Sequence, residues 1–129
     1  MTEKIRSFTD LVAWQESHKL VLLVYKLSKN FPKEELFALT SQIRRAVISI
    51  VSNIAEGFSR GTSKDKNQFY LIALGSLAEL QSQLLVARDL GYLTKSDFTQ
   101  VANQTVIVRK LLSGLLRSSQ SYRILNTEY

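Results

Sequence analysis

The chain has no cysteine among its 129 residues, which excludes disulfides, thiolate metal centres and cysteine nucleophiles. It has one proline, Pro32, so little in it interrupts a helix. It has one histidine, His18, and no Glu-x-x-His pair, the ligand pattern of a di-iron bundle. Gly-x-x-x-x-Gly-Lys and Gly-x-Gly-x-x-Gly segments are missing as well. No apolar run is longer than that of Leu20 to Tyr25, which falls far short of the roughly 20 residues that a membrane span takes. The start, MTEKIRSFTD, is polar and lacks the apolar stretch of a signal peptide. These absences predict a cytoplasmic protein with no membrane span, no metal and no cofactor.

What remains is an ordinary globular composition, 45% hydrophobic and 22% charged. The length suits one domain, 1–129, able to bury a core unaided. Lys and Arg number 17 against 11 Asp and Glu, a net charge of +6. That balance permits a polyanionic partner such as RNA, DNA or an acidic protein. The cations are spread along the chain in runs no longer than two, so a solvated basic surface accounts for them equally well.

Four stretches place apolar residues at steps of three and four, the period of an amphipathic helix. The first, about 10–30, takes Thr9 or Asp10 as its N-cap. Leu20, Val24 and Leu27 form one apolar line along it, and Leu11, Trp14, Val21, Leu22 and Tyr25 a second. Two lines exceed what the interior of a four-helix monomer uses, which points to a subunit interface. Phe31-Pro32 ends this helix. The second, about 33–59, starts at Pro32 with Glu34 and Glu35 at the positive end of its dipole. Its core face is Leu36, Leu39, Ile43, Ala46, Val47, Ile50, Ile54 and Phe58, and Gly57 and Gly61 allow positive φ at its end.

The third helix, about 64–90, is capped by Ser63 and stops at Gly91. It turns Tyr70, Ala73, Leu77, Leu80, Leu84 and Ala87 inward. Gly75 in its interior costs about 1 kcal/mol against alanine, which points to a neighbour in close approach. The fourth, about 95–119, opens at Thr94 with Asp97 three residues on. Its seam is Phe98, Val101, Val108, Leu112 and Leu115, interrupted by Thr105, and Tyr122 to Tyr129 reads as a loose tail. Four such helices with short links define an all-α, antiparallel up-down four-helix bundle.

Opposite the core face of the second helix runs a polar stripe of Gln42, Arg45, Ser49, Asn53, Glu56 and Arg60. The third helix carries Ser76, Glu79 and Gln83, flanked by Gly75 and Ser82. Glu56 and Glu79 as paired carboxylates would suit acid–base work or a hard metal ion. The simpler reading is a structural seam, in which Gln42, Arg45, Asn53, Glu56, Glu79 and Gln83 satisfy one another and fix helix register. No catalytic residue is assigned, and His18 reads as a core or interface residue on the apolar side of the first helix. The nucleic-acid candidates are Arg44, Arg60, Lys64, Lys66, Arg117 and Arg123. Arg60, Lys64 and Lys66 cluster at the turn between the second and third helices, where several copies in a ring would form a basic rim. Without interleaved aromatics, contacts there would be to phosphates and salt-dependent. The two glycines of that turn follow a helix rather than a strand, so it is not read as a nucleotide loop.

Phe8-x-x-Leu11-x-x-Trp14-Gln15, Phe31-Pro32-x-Glu34-Glu35 and Gln42-Ile43-Arg44-Arg45-Ala46 resemble the family of ribosomal RNA intervening-sequence proteins. Ser49-Ile50-x-x-Asn53-Ile54-Ala55-Glu56-Gly57, Gly75-Ser76-Leu77-x-Glu79-Leu80 and Leu90-Gly91-Tyr92-Leu93 continue the likeness over nearly the whole chain. Val51 stands where members often carry a proline, which removes the reason for a kink. The family is encoded within insertions in large-subunit rRNA genes and includes the accessory variability protein of diversity-generating retroelements. The resemblance implies a four-helix bundle assembled as a ring, typically a homopentamer. Its retroelement relatives look like basic barrels that bind a reverse transcriptase and nucleic acid. The expectation is therefore a non-enzymatic homo-oligomer that binds RNA, or a reverse-transcriptase-type nucleoprotein, through a basic surface. The alternative is a protein–protein adaptor or scaffold with no nucleic-acid role.

Overall fold

Four amphipathic segments wind into α1 (Val12–Ser28), α2 (Leu39–Ser59), α3 (Ser63–Asp89) and α4 (Lys95–Glu128). The computed structural model describes the backbone of residues 5–128 and the side chains of residues 5–118. Among them, α1 packs beside α2, α2 beside α3, α3 beside α4 and α4 returns to α1, while the backbones of α1 and α3, and of α2 and α4, stand apart on the diagonals. Short links between helices placed at the corners of a square make an up-down four-helix bundle.

The core is an apolar column along the bundle axis. Leu20 of α1, Ile43, Val47, Ile50 and Ile54 of α2, Ala73 and Leu80 of α3, and Val101, Val108 and Leu112 of α4 are all fully buried. Thr105 interrupts the α4 seam without leaving an orphan hydroxyl. It donates to the Ala102 carbonyl (2.6 Å) and accepts from Gln81 Nε2 of α3 (3.1 Å). The second apolar line of α1 is divided: Leu11 is buried, Trp14, Val21 and Tyr25 are half-buried, and Leu22 lies in solvent.

The helix ends differ from expectation in ways that local chemistry explains. The carboxylate of Asp10 accepts from the backbone N–H groups of Arg6 and Ser7 (3.0 and 3.2 Å), closing a capping box around a 3₁₀ turn, Phe8–Asp10. Neither Thr9 nor Asp10 is thus free to cap α1, whose N-cap Leu11 has no side-chain bond. The expected start of α2 at residue 33 is a 3₁₀ turn, Lys33–Glu35. Glu35 is bound there by the Tyr92 hydroxyl (2.8 Å), and Tyr92 also packs on the buried Phe31 ring, 5.5 Å between centroids. This anchor holds residues 31–35 against the α3–α4 link, and α2 begins only at Leu39. Leu36, expected in the core, is about half exposed, and Phe37 is 94% exposed.

Thr62 rather than Ser63 caps α3, accepting from the Asp65 N–H at 3.1 Å. Thr94 caps α4 in the same way through Asp97. Gly91 is the described glycine with positive φ (82°). Its N–H and that of Tyr92 bond to the carbonyls of Arg88 and Ala87, a Schellman ending for α3. Gly57 and Gly61 do not share that conformation, contrary to expectation. α4 continues in helix to Glu128 rather than fading near residue 119.

Although no apolar run in the sequence spans a membrane, α3 as a helix is long and apolar enough to do so by length and composition. Its Tyr70–Ala87 line is packed in the bundle core. Burial pushes the Tyr70 phenol above its ordinary value of 10.0. A raised folded-state value stabilises the fold fully below pH 10 and loses that contribution as pH rises through it. Resistance to urea is therefore expected to fall above pH 10, and Tyr70→Phe should lack this component. An unchanged fall with pH in Tyr70→Phe would contradict the assignment.

Candidate nucleic-acid interface

The three cations at the α2–α3 turn have different employments. Lys66 Nζ donates to the Phe58 carbonyl (2.6 Å), approaches that of Gly57 (3.5 Å) and lies over the Phe58 ring. It thus satisfies carbonyls at the C-terminus of α2, where a helix favours a cation. Burial pushes its ammonium below the ordinary 10.5. Arg60 is bonded to Glu56 one turn earlier (2.6 Å) and lies over the Phe69 ring, yet keeps 42% of its side chain in solvent. Lys64 is exposed.

Arg44 is elsewhere: its Nε donates to Ser28 Oγ of α1 (2.9 Å), and its guanidinium covers the Tyr25 ring. It tethers α1 to α2. Arg117 is exposed on α4. The Gln81–Thr105 bond sets antiparallel register, so Arg117, further along α4, is at the α2–α3 turn end of the bundle. The side chain of Arg123 lies outside the described residues. Of the candidate cations, those on the surface at this end are accordingly Arg60, Lys64 and Arg117, with the exposed carboxylates of Glu56 and Asp65 in the same turn.

The polar stripe gathers around a hydroxyl pair. Ser49 Oγ and Ser76 Oγ, 2.8 Å apart, bridge α2 and α3. The Asn53 amide donates to the Ser49 carbonyl (2.8 Å) and hydroxyl (3.1 Å). Gln42, Arg45, Ser49, Ser76 and Glu79 line an open cleft of about 400 Å³. Arg45 and Glu79 form no ion pair there, and Gln83 donates to Glu79 from the same helix (3.1 Å). Glu56 is held by Arg60 instead. Relative to the Ser49–Ser76 bridge, Glu56 and Glu79 lie in opposite directions along antiparallel helices, an axial offset of roughly 15 Å at 1.5 Å per residue. They do not make a carboxylate pair.

His18 is exposed and stacked flat on Trp14, 4.9 Å between centroids, rather than set in the core. Gly57-Phe58-Ser59-Arg60-Gly61 has the Gly-x-Ser-x-Gly spacing of a nucleophile elbow. The geometry does not fit, because Ser59 ends a helix rather than following a strand, and its hydroxyl donates to the Glu56 carbonyl (2.7 Å). No group of three or more His, Asp and Glu converges among the described residues.

Outside these clusters lie apolar surfaces, in which Leu36, assigned by periodicity to the core, takes part. Tyr25, Leu36, Phe37 and Ile48 line a groove of about 640 Å³ between α1 and α2, with Arg44 and Arg45 on its wall. Leu71, Ile72, Leu85 and Val86 of α3 are each 43–57% exposed. The available signal was that α3 carries apolar residues on faces a single core stripe does not need.

Fold and surface together define an all-α four-helix bundle in which no group of three or more His, Asp and Glu converges among the described residues. Residues 9–114 match the family described as 23S rRNA-intervening sequence protein, and the chain belongs to that family. A 1.70 Å crystal structure of a protein of unknown function from the S23 ribosomal protein family of Bacteroides thetaiotaomicron VPI-5482 has the same fold. Its TM-score is 0.76 at 24% identity, over 82% of this chain and 96% of that one. No curated protein matches the chain.

Proposed function

We propose that the protein is a non-enzymatic, cytoplasmic homo-oligomer that binds RNA, or a nucleoprotein containing it, through the basic end of the bundle. The observation that carries this reading is the gathering of Arg60, Lys64 and Arg117 at one end, with Lys64 and Arg117 exposed. Membership in a family named for rRNA intervening sequences supports RNA as the polyanion. In a ring, such as the pentamer the sequence resemblance implies, the basic ends would be repeated around one rim. Glu56 beside Arg60 tempers its charge, and contacts made to phosphates alone are expected to be non-specific and sensitive to salt.

Titration of a structured RNA tests this. Three phosphate contacts should weaken binding roughly 40-fold between about 50 and 200 mM salt, by the counterion-release slope. Lys64→Glu with Arg117→Glu should abolish most of it without unfolding the chain. Binding absent even at low salt removes the reading. The adaptor alternative is favoured by the apolar groove between α1 and α2. A protein partner retained after nuclease treatment would select it.

A further inference from the structure

The groove between α1 and α2 brings an open aromatic ring and two cations together. Phe37, on the turn before α2, has 94% of its surface in solvent, so its ring faces are free to take a flat partner. Tyr25 and Ile48 lie in the same groove with Arg44 and Arg45 on its wall, and no carboxylate lines it. From Tyr25 to Ile48 the sequence holds five Lys and Arg against two Glu. One of these two, Glu35, is already bound by the Tyr92 hydroxyl. Lys26, Lys29 and Lys33, the other three cations, are all exposed.

Arg44 is the more firmly placed of the two arginines. Its Nε donates to Ser28 Oγ at 2.9 Å, and its guanidinium lies over the Tyr25 ring, 4.8 Å from the centroid. These contacts leave its two terminal nitrogens without a hydrogen bond among the described residues. A guanidinium held in this way offers a planar fork to a phosphate at little further cost in side-chain entropy. Arg45 is exposed and borders both this groove and the polar cleft that holds Glu79. It forms no ion pair among the described residues.

Surfaces that take single-stranded nucleic acid join these same two elements, cations along the backbone and aromatic rings on which bases stack. Each nucleotide carries one anion and one flat apolar face, the combination that this groove complements. We propose that the groove binds an unpaired nucleotide of an RNA, with its base stacked on Phe37 and its phosphate held by Arg44 and Arg45. Paired bases are closed to such a contact, because they are stacked on one another within the helix. Along α2, Arg44 stands roughly 24 Å from Arg60 at 1.5 Å per residue, so the site is separate from the basic end. The inference rests on the RNA reading above and adds a single-stranded feature that phosphate contacts at the basic end do not distinguish.

Titration of the full-length chain with three forms of one RNA duplex tests it: blunt, with a single-stranded tail of adenosines, and with a tail of abasic sugars. The abasic tail brings the same phosphates without the bases. The adenosine tail is expected to bind about tenfold more tightly than the abasic one. Phe37→Ala should abolish that step and leave binding of the blunt duplex unchanged, whereas Phe37→Tyr should keep it. The circular dichroism spectrum should be the same in both variants, since the ring is almost wholly outside the fold. Equal affinities for the two tails, or a gain that survives Phe37→Ala, overturn the inference and leave binding at the basic end standing. A protein partner retained through Phe37 after nuclease treatment, with no gain from the adenosine tail, assigns the groove to a peptide and overturns it as well. No binding of any form, even at low salt, overturns both readings.

Discussion

Leu80→Ala is expected to lower the stability of the fold by about 3 kcal/mol, within the range of leucine truncations in a packed core. The side chain is 0% exposed in the middle of α3, facing the bundle axis. Truncation loses its burial free energy and leaves a cavity that a core of fully buried side chains has little freedom to fill. A domain of ordinary stability, about 5–15 kcal/mol, would lose a large share of it. Leu71→Ala on the same helix is the control. Leu71 is 57% exposed, and its removal should change chain stability by less than about 0.5 kcal/mol. Urea unfolding at two protein concentrations separates the effects, because losses at a subunit contact depend on concentration and losses in the core do not. Equal, concentration-independent losses would show that the two faces of α3 have been assigned wrongly.

That contrast also marks how much of the fold was legible. Tyr70, Ala73, Leu77, Leu80, Leu84 and Ala87 are chosen correctly by periodicity, and all six are buried. Ile43, Ala46, Val47, Ile50 and Ile54 of α2 are likewise buried, because a polar stripe on the opposite side leaves no ambiguity about orientation. Leu22 and Leu36 satisfy the same periodic rule and end in solvent. Leu22 fails because the apolar arc of α1 is broader than the space between two neighbouring helices. Leu36 fails because Glu35 is bound by Tyr92, 57 residues away, and α2 starts at Leu39 rather than at the expected residue 33. A long-range hydrogen bond decides a local boundary there, and no window of sequence contains it.

The candidate site was less legible, for a related reason. Counting cations at the α2–α3 turn assigns Lys66 and Arg60 the same role, yet Lys66 binds backbone carbonyls that become acceptors only once α2 has ended beside it. Arg44 similarly finds Ser28 and Tyr25 only when α1 and α2 are packed. The polar stripe was visible as a pattern, but not its pairing. The inter-helix bridge belongs to Ser49 and Ser76, whereas the longer Arg45 and Glu79 side chains remain at the cleft surface. Short side chains reach each other where α2 and α3 are close, and long ones at the margin retain the freedom to meet another molecule.

Gly57→Ala is expected to destabilise the fold by about 2 kcal/mol, against the direction of helix propensity. Gly57 lies inside α2, where alanine would ordinarily gain about 1 kcal/mol. A Cβ built on it would stand 2.7 Å from Cε1 and 2.9 Å from Cδ1 of Tyr70, and 3.1 Å from Cβ of Phe69. The Tyr70 ring is 2% exposed and enclosed on its other sides, so it cannot swing away as a surface side chain would. Relief requires α2 and α3 to separate, and overpacking of this kind costs about 1–3 kcal/mol in a packed interior. Gly61→Ala is the comparison, since nothing among the described residues lies within 4 Å of its Cβ position and its effect should be slight. Replacing the ring, in Tyr70→Leu, should remove most of the penalty of Gly57→Ala, so the double-mutant cycle gives a coupling of about 1 kcal/mol or more. Additivity in that cycle would mean that the glycine is required for some reason other than the Tyr70 ring. Coupling would assign the invasive contact between α2 and α3 to this one pair, directly beneath the cations at the basic end of the bundle.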